Sequence, residues 1–244
     1  MTIDILRNYI TELPELIIKN ANAIYVYGSV ARNDCDGDSD CDLFVCIEDC
    51  TEQKYQRLKA AVENWSVEYG CEFAFYQMST LEEMQKKGSY FLWHIKREGV
   101  LLYQSNLKVK NLLDSLPRYT GTSDDFNEYN EILNDIEESL LQDSLTIEYD
   151  LAVLAVLVRN ICIGCCYLLD DMDFGRKTPV IKCINVWGDS FPFTLSEYDE
   201  LYEFRLAIVR NKKINYQIAT VRYAQHWLQQ VRTLIKLAFT LVRG

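Results

Sequence analysis

Apolar positions along the first hundred residues change their period repeatedly, and each change marks an element. "AIYVYG" (23–28) and "CDLFVCI" (41–47) are short, almost continuous apolar runs, the pattern of buried strands. "CEFAFYQ" (71–77) and "VLLYQ" (100–104) read as two more. Helical spacing fills the gaps: residues 52–69, then "STLEEMQKKG" with a capping box from Thr80 to Glu83 and a stop at Gly88, then "YFLWHIKREG" ending at Gly99. Ahead of them, Ile5, Tyr9, Leu13 and Leu16 put a helix over 3–19, interrupted by Pro14. Alternating elements of this kind predict an α/β domain built on a small mixed β-sheet.

The pattern changes at the turn-rich "PRYTGTS" (117–123). Beyond it only helical periods occur, over 124–142, 145–170, 178–187, 196–211 and 216–242. In the last, Val221, Ala224, Leu228, Val231, Ile235, Ala238 and Val242 build one apolar stripe, the mark of a bundle helix. The expected organisation is therefore a mixed-sheet domain, residues 1–118, followed by an all-helical bundle, residues 119–244.

Composition narrows the class. The chain has 244 residues, 49% hydrophobic and 25% charged, as in a globular protein. No uninterrupted apolar run of about eighteen residues is present, so no membrane span is expected. The start lacks a basic segment followed by an apolar one, so no signal peptide is read. Nine cysteines, an odd number set among apolar neighbours, suit a reduced, cytoplasmic protein rather than a disulfide framework. Cys162 and Cys165 form a C-x-x-C, but with two histidines in the whole chain the ligands for zinc are scarce, and buried small hydrophobes are the better reading. A net charge of -11 argues against a protein that tracks a long nucleic-acid backbone.

Chemistry concentrates in "YGSVARNDCDGDSDCDLFV". Five aspartates alternate there: Asp34, Asp36, Asp38, Asp40 and Asp42. A calcium loop starting at Asp34 would need glycine where Ser39 stands and glutamate where Val45 stands, so that reading fails. The surroundings support another. One strand ends in Gly28-Ser29, and Asp40-Cys41-Asp42 opens the next. Asp40 and Asp42, two apart, share a strand face, and two such carboxylates are costly without a hard divalent cation such as magnesium. The Gly28-Ser29 turn, opening a short helix over Val30–Asn33, offers backbone N–H groups and a hydroxyl to a phosphate. A metal dyad facing a phosphate-holding turn is the equipment of phosphoryl or nucleotidyl transfer. Asp34, Asp36 and Asp38 read as solvated loop acids.

This stretch resembles the polymerase-beta-like nucleotidyltransferase superfamily: a hydrophobic strand, Gly-Ser, a connection, then two aspartates alternating with apolar residues. It looks most like the minimal nucleotidyltransferase branch. Gly28, Ser29, Ala31, Arg32, Ser39, Asp40, Asp42 and Leu43 match that branch, while Asn33 stands where glycine is usual, a tolerable change because asparagine accepts left-handed backbone angles. "FLWHIKREGVLLY" resembles the end of such domains, and the likeness covers residues 20–105. The resemblance implies a third carboxylate on a later strand, for which "CEFAFY" offers Glu72. It implies Mg2+ (or Mn2+) held by Asp40, Asp42 and Glu72, and a nucleoside triphosphate, ATP first, with Gly28, Ser29, Arg32 and Ser39 near its phosphates, although Arg32 reads equally well as an exposed arginine on a short helix. A nucleoside monophosphate would then pass to a hydroxyl acceptor with release of pyrophosphate.

The acceptor stays open among a small cationic molecule, a protein hydroxyl and a nucleotide, the last giving an oligonucleotide signal. Between Tyr119 and Val158 there is no lysine or arginine against ten acids, which suits a polycationic acceptor or, more simply, a solvated face. The R-x4–6-H motif of helical ribonuclease toxins is missing, since Arg222 and His226 are too close. An antitoxin-like or protein-AMPylating partner role in bacterial defence, a polymerase acting on short primers, and a homo-oligomer or partner-protein complex are the alternatives.

Overall fold

The structure, a computed structural model, describes residues 13–34, 41–142, 144–209 and 218–243. The chain divides into two compact units, Met1–Thr120 and Gly121–Gly244.

In the first unit, the one-turn helix α1 (Glu15–Ile18) leads into strand β1 (Ala21–Tyr27), the short helix α2 (Gly28–Arg32) and strand β2 (Cys41–Ile47). Helix α3 (Glu52–Tyr69) crosses to strand β3 (Cys71–Gln77). Helices α4 (Met78–Lys86) and α5 (Tyr90–Glu98), strand β4 (Val100–Gln104) and helix α6 (Lys108–Asp114) complete it. The sheet order is β3-β2-β1-β4. β2 and β3 pair in parallel, and β1 runs antiparallel to both β2 and β4. A mixed sheet follows from the connections: an eighteen-residue helix is long enough to return the chain for a parallel pairing.

Alternation along the strands decides the two cores. Ile24, Val26, Leu43 and Val45 face α3, whose Leu58, Val62 and Trp65 recur at helical spacing. Tyr25, Phe44 and Cys46 face α4–α6 through Met78, Leu81, Leu92, Ile95 and Leu112. Each fully buried aliphatic side chain in these layers contributes about 1.5–3 kcal/mol over an exposed one.

The expected capping box in α4 is not formed. The helix begins at Met78, so Thr80 lies inside it. The free N–H of Ser79 is instead satisfied by Asp49, whose Oδ1 accepts from Ser79 N (3.0 Å) and Ser79 Oγ (2.6 Å). A carboxylate from the loop after β2 thus takes the place that the local pattern assigned to threonine. Pro14 precedes α1 rather than kinking it; the rest of the expected 3–19 helix, through residue 12, lies outside the described residues.

The second unit is helical: α7 (Thr122–Gln142), α8 (Ile147–Leu168), α9 (Thr178–Trp187), α10 (Leu195–Val209) and α11 (Val221–Arg243). α8 is its axis, with fifteen buried residues from Ile147 to Tyr167. Ala224, Leu228, Val231, Ile235 and Ala238 of α11 belong to the same core, so the stripe read from the sequence is interior. By length and composition α8 is also long and apolar enough to cross a membrane, and most of it is buried inside the fold. Asp150 and Arg159 interrupt the run, which is why a search for uninterrupted apolar residues passes over it.

Candidate functional site

The carboxyl end of β1 and the amino ends of β2 and β3 meet at one edge of the first unit. In the β1–β2 pairing Tyr27 lies opposite Asp42, and in the β2–β3 pairing Asp42 lies beside Glu72. In-register neighbours of parallel strands share a face about 4.8 Å apart, so Asp42 and Glu72 project side by side. They lie on the side of Phe44 and Tyr76, with Cys41 and Cys71 turned to the other face. Asp42 is half-buried, and Glu72 is open to solvent on the edge strand.

Gly28 packs against Asp42. Its φ is +71°, in the left-handed region, and a Cβ built on it would fall on Asp42 Oδ2, with Asp42 Cγ at 3.1 Å. Glycine is thus required twice, for the backbone angle and for the approach of the carboxylate. α2 follows from Gly28 and stops at Asn33, which takes φ 60° and ψ 32°. The asparagine that replaces glycine in the sequence pattern therefore sits where its tolerance of that conformation is used. Ser29 occupies the first turn, half-buried, and its carbonyl accepts from Asp34 N at 3.1 Å.

Tyr27 supplies an electrostatic probe of the edge. Its hydroxyl is pushed well above the ordinary phenol value, first by burial and then by the charges of Asp42, Tyr76 and Glu72. The same ring packs edge-on against Phe91 (5.7 Å) and His94 (5.3 Å) of α5.

Arg32, at the end of α2, is paired within the protein. Its Nη1 donates to Glu98 Oε2 at 2.7 Å and its Nε to Asp34 Oδ2 at 3.1 Å. Glu98 Oε2 also meets His94 Nε2 at 3.0 Å. Burial alone would push the Glu98 carboxyl up, but hydrogen bonds and charge from His94 and Arg32 outweigh it and hold it at about 2.

Ser39 and Asp40 lie outside the described residues, as do Asp36 and Asp38. Asp34 is exposed and paired with Arg32. Among the described residues no three histidine, cysteine, aspartate or glutamate side chains converge as a metal cluster, so the structure itself brings together two of the three carboxylates, Asp42 and Glu72. The eight described cysteines are free thiols, and Cys162, Cys165 and Cys166 are buried in the core of α8. Of the acids between Tyr119 and Val158, Asp124, Glu128, Glu131, Asp135 and Glu138 are exposed along α7, Glu137 pairs with Arg232 (2.8 Å), and Asp150 is buried.

Sequence reasoning overlooked Tyr27, His94 and Glu98. Tyr27 was legible as the residue before Gly28-Ser29. The Arg32–Glu98 pair spans 66 positions and leaves no periodic trace.

Comparison with known proteins adds two findings. Residues 12–108 match the family described as Polymerase beta, Nucleotidyltransferase. Among solved structures, spectinomycin adenyltransferase AAD(9) from Enterococcus faecialis, crystallised with ATP and spectinomycin, is similar over 92% of this chain and 97% of its own, with 13% sequence identity and a TM-score of 0.50. At that identity the likeness is one of fold. No curated protein is significantly similar in sequence.

Proposed function

From a chain whose residues 12–108 form a nucleotidyltransferase domain of the polymerase beta type, we propose an enzyme that moves a nucleoside monophosphate from a triphosphate, ATP first, to a hydroxyl acceptor. The observation that carries this reading is the Asp42–Glu72 pair, in register on parallel strands, with the glycine of the Gly28-Ser29 turn packed against the Asp42 carboxylate.

The donor set at this edge consists of carboxylate oxygens, which suits Mg2+. Asp42 and Glu72, with Asp40 on the strength of the sequence motif, would hold it. Such an ion supplies neutralisation of the triphosphate charge. The remaining work falls to the chain itself. The backbone N–H groups at Gly28 and Ser29, with the hydroxyls of Ser29 and Ser39, bind phosphate oxygens. Glu72, open to solvent, accepts the proton of the acceptor hydroxyl. The acceptor oxygen bonds to the α-phosphorus, the bond from that phosphorus to the bridging oxygen breaks, and pyrophosphate leaves with the electron pair.

For the acceptor we favour a small cationic hydroxyl compound. Two things support this class: a net charge of -11, which suits a cationic substrate, and a structural neighbour named as an adenyltransferase and solved with ATP and spectinomycin. The test is to incubate the protein with Mg2+ and each labelled triphosphate, alone and with spectinomycin or another aminoglycoside, and to read pyrophosphate and product mass. Acceptor-dependent pyrophosphate from ATP is expected. Label appearing only on protein, or only as elongated oligonucleotide, would replace the small-molecule reading.

A further inference from the structure

α2 is a single turn, and a helix this short has no stability of its own. Something must hold it if the Gly28-Ser29 turn is to keep its donors aimed. On one side Val30 is buried in the core beneath the sheet. On the other, a closed circuit runs through four side chains. Arg32, at the end of α2, donates to Glu98 at the end of α5 (2.7 Å); Glu98 meets His94 one turn earlier (3.0 Å); and the His94 ring packs edge-on against Tyr27 (5.3 Å), the residue that precedes α2 and lies opposite Asp42. The Arg32 and Glu98 side chains are only 20% and 12% exposed.

Resting on the proposed triphosphate chemistry, we infer that Glu98 is a positioning residue: it holds Arg32, and through Arg32 the Gly28-Ser29 turn, so that the turn is formed before the triphosphate arrives. Arg32 is then a strut between α2 and α5 rather than a phosphate ligand. A guanidinium that gives Nη1 to Glu98 and Nε to Asp34 is held in place from two sides by the protein itself. His94 Nε2 meets the same Glu98 oxygen, Oε2, and so helps to hold the carboxylate that accepts from Arg32.

A double-mutant cycle with Arg32→Gln, Glu98→Gln and the two combined tests this, with KM and kcat for ATP and equilibrium binding of Mg-ATP measured for each. A strut predicts that each single change raises KM and the dissociation constant by about tenfold, the loss expected of one charge-assisted hydrogen bond. kcat should change much less, and the double variant should be no worse than either single one. If Arg32 instead binds phosphate, Arg32→Gln raises KM while Glu98→Gln leaves it unchanged or lowers it, and the inference is overturned. A fall in thermal midpoint with unchanged KM also overturns it, because the pair would then serve the fold alone. The proposed function has its own control: if wild-type turnover is insensitive to Asp42→Asn, the site is misassigned whatever the cycle gives. If the wild type neither binds nor turns over ATP, the inference falls together with the reading on which it rests.

Discussion

Gly28→Ala is the substitution whose consequences the structure specifies most fully. Alanine at φ +71° costs about 1–2 kcal/mol in backbone strain. The new methyl group would also overlap Asp42 Oδ2, with Cγ at 3.1 Å and Cβ at 3.5 Å, so the carboxylate must retreat by about 1 Å to restore contact distance. A displacement of that size in a reacting constellation lowers turnover by about 100-fold. Gly70 provides the control. It ends α3 at φ +64°, and a Cβ there meets nothing within 4 Å. Gly70→Ala therefore carries the same backbone cost without the displacement. Urea unfolding should place both variants about 1–2 kcal/mol below wild type, and pyrophosphate release should fall about 100-fold in Gly28→Ala alone. Equal activity in the two variants would refute the claim that Gly28 is held open for Asp42.

Three further outcomes concern stability. Glu98 is lowered from 4.5 to about 2 in the fold, so its stabilisation is complete above pH 4.5 and lost as pH falls toward 2; Glu98→Gln should cost about 2 kcal/mol at pH 7, and the gap to wild type in acid unfolding should close across that window. Asp150, 5% exposed, accepts from Thr146 (2.9 Å) and Ser139 (3.2 Å) where α7 turns into α8, so Asp150→Ala should cost the helical unit about 2 kcal/mol by chemical denaturation and Asp150→Asn less. Trp227 is 1% exposed and its ring lies tilted at 57° to that of Phe193, 5.0 Å away, so Trp227→Ala should cost about 3–5 kcal/mol in the same assay.

Much of this was legible in the chain because periodicity reports burial. The runs at 41–47 and 71–77 are strands with the same bounds in the structure, and the α11 stripe is interior. The limits are equally physical. "LKVKNLLD" is too short to show a helical period, so α6 was overlooked. Asp49 replaced Thr80 as the cap because a carboxylate close in space outcompeted a hydroxyl close in sequence. At the site, alternation assigned Asp42 a face, but only the parallel β2–β3 register set Glu72 beside it. The partner of Arg32, Glu98, lies on a helix whose polar positions look merely solvated. Charge pairs of long sequence separation are what a periodic reading cannot supply.

The central claim is that the edge carrying Asp42, Glu72 and Gly28 transfers a nucleotide. Its most direct test is pyrophosphate release from labelled ATP and Mg2+ by the wild type and by Asp42→Asn, with the unfolding midpoint of each measured alongside. The wild type should release pyrophosphate, and an Asp42→Asn variant that remains folded should release it about 100- to 1,000-fold more slowly, as when a group stabilising transition-state charge is removed. Equal release by a folded Asp42→Asn variant would contradict it.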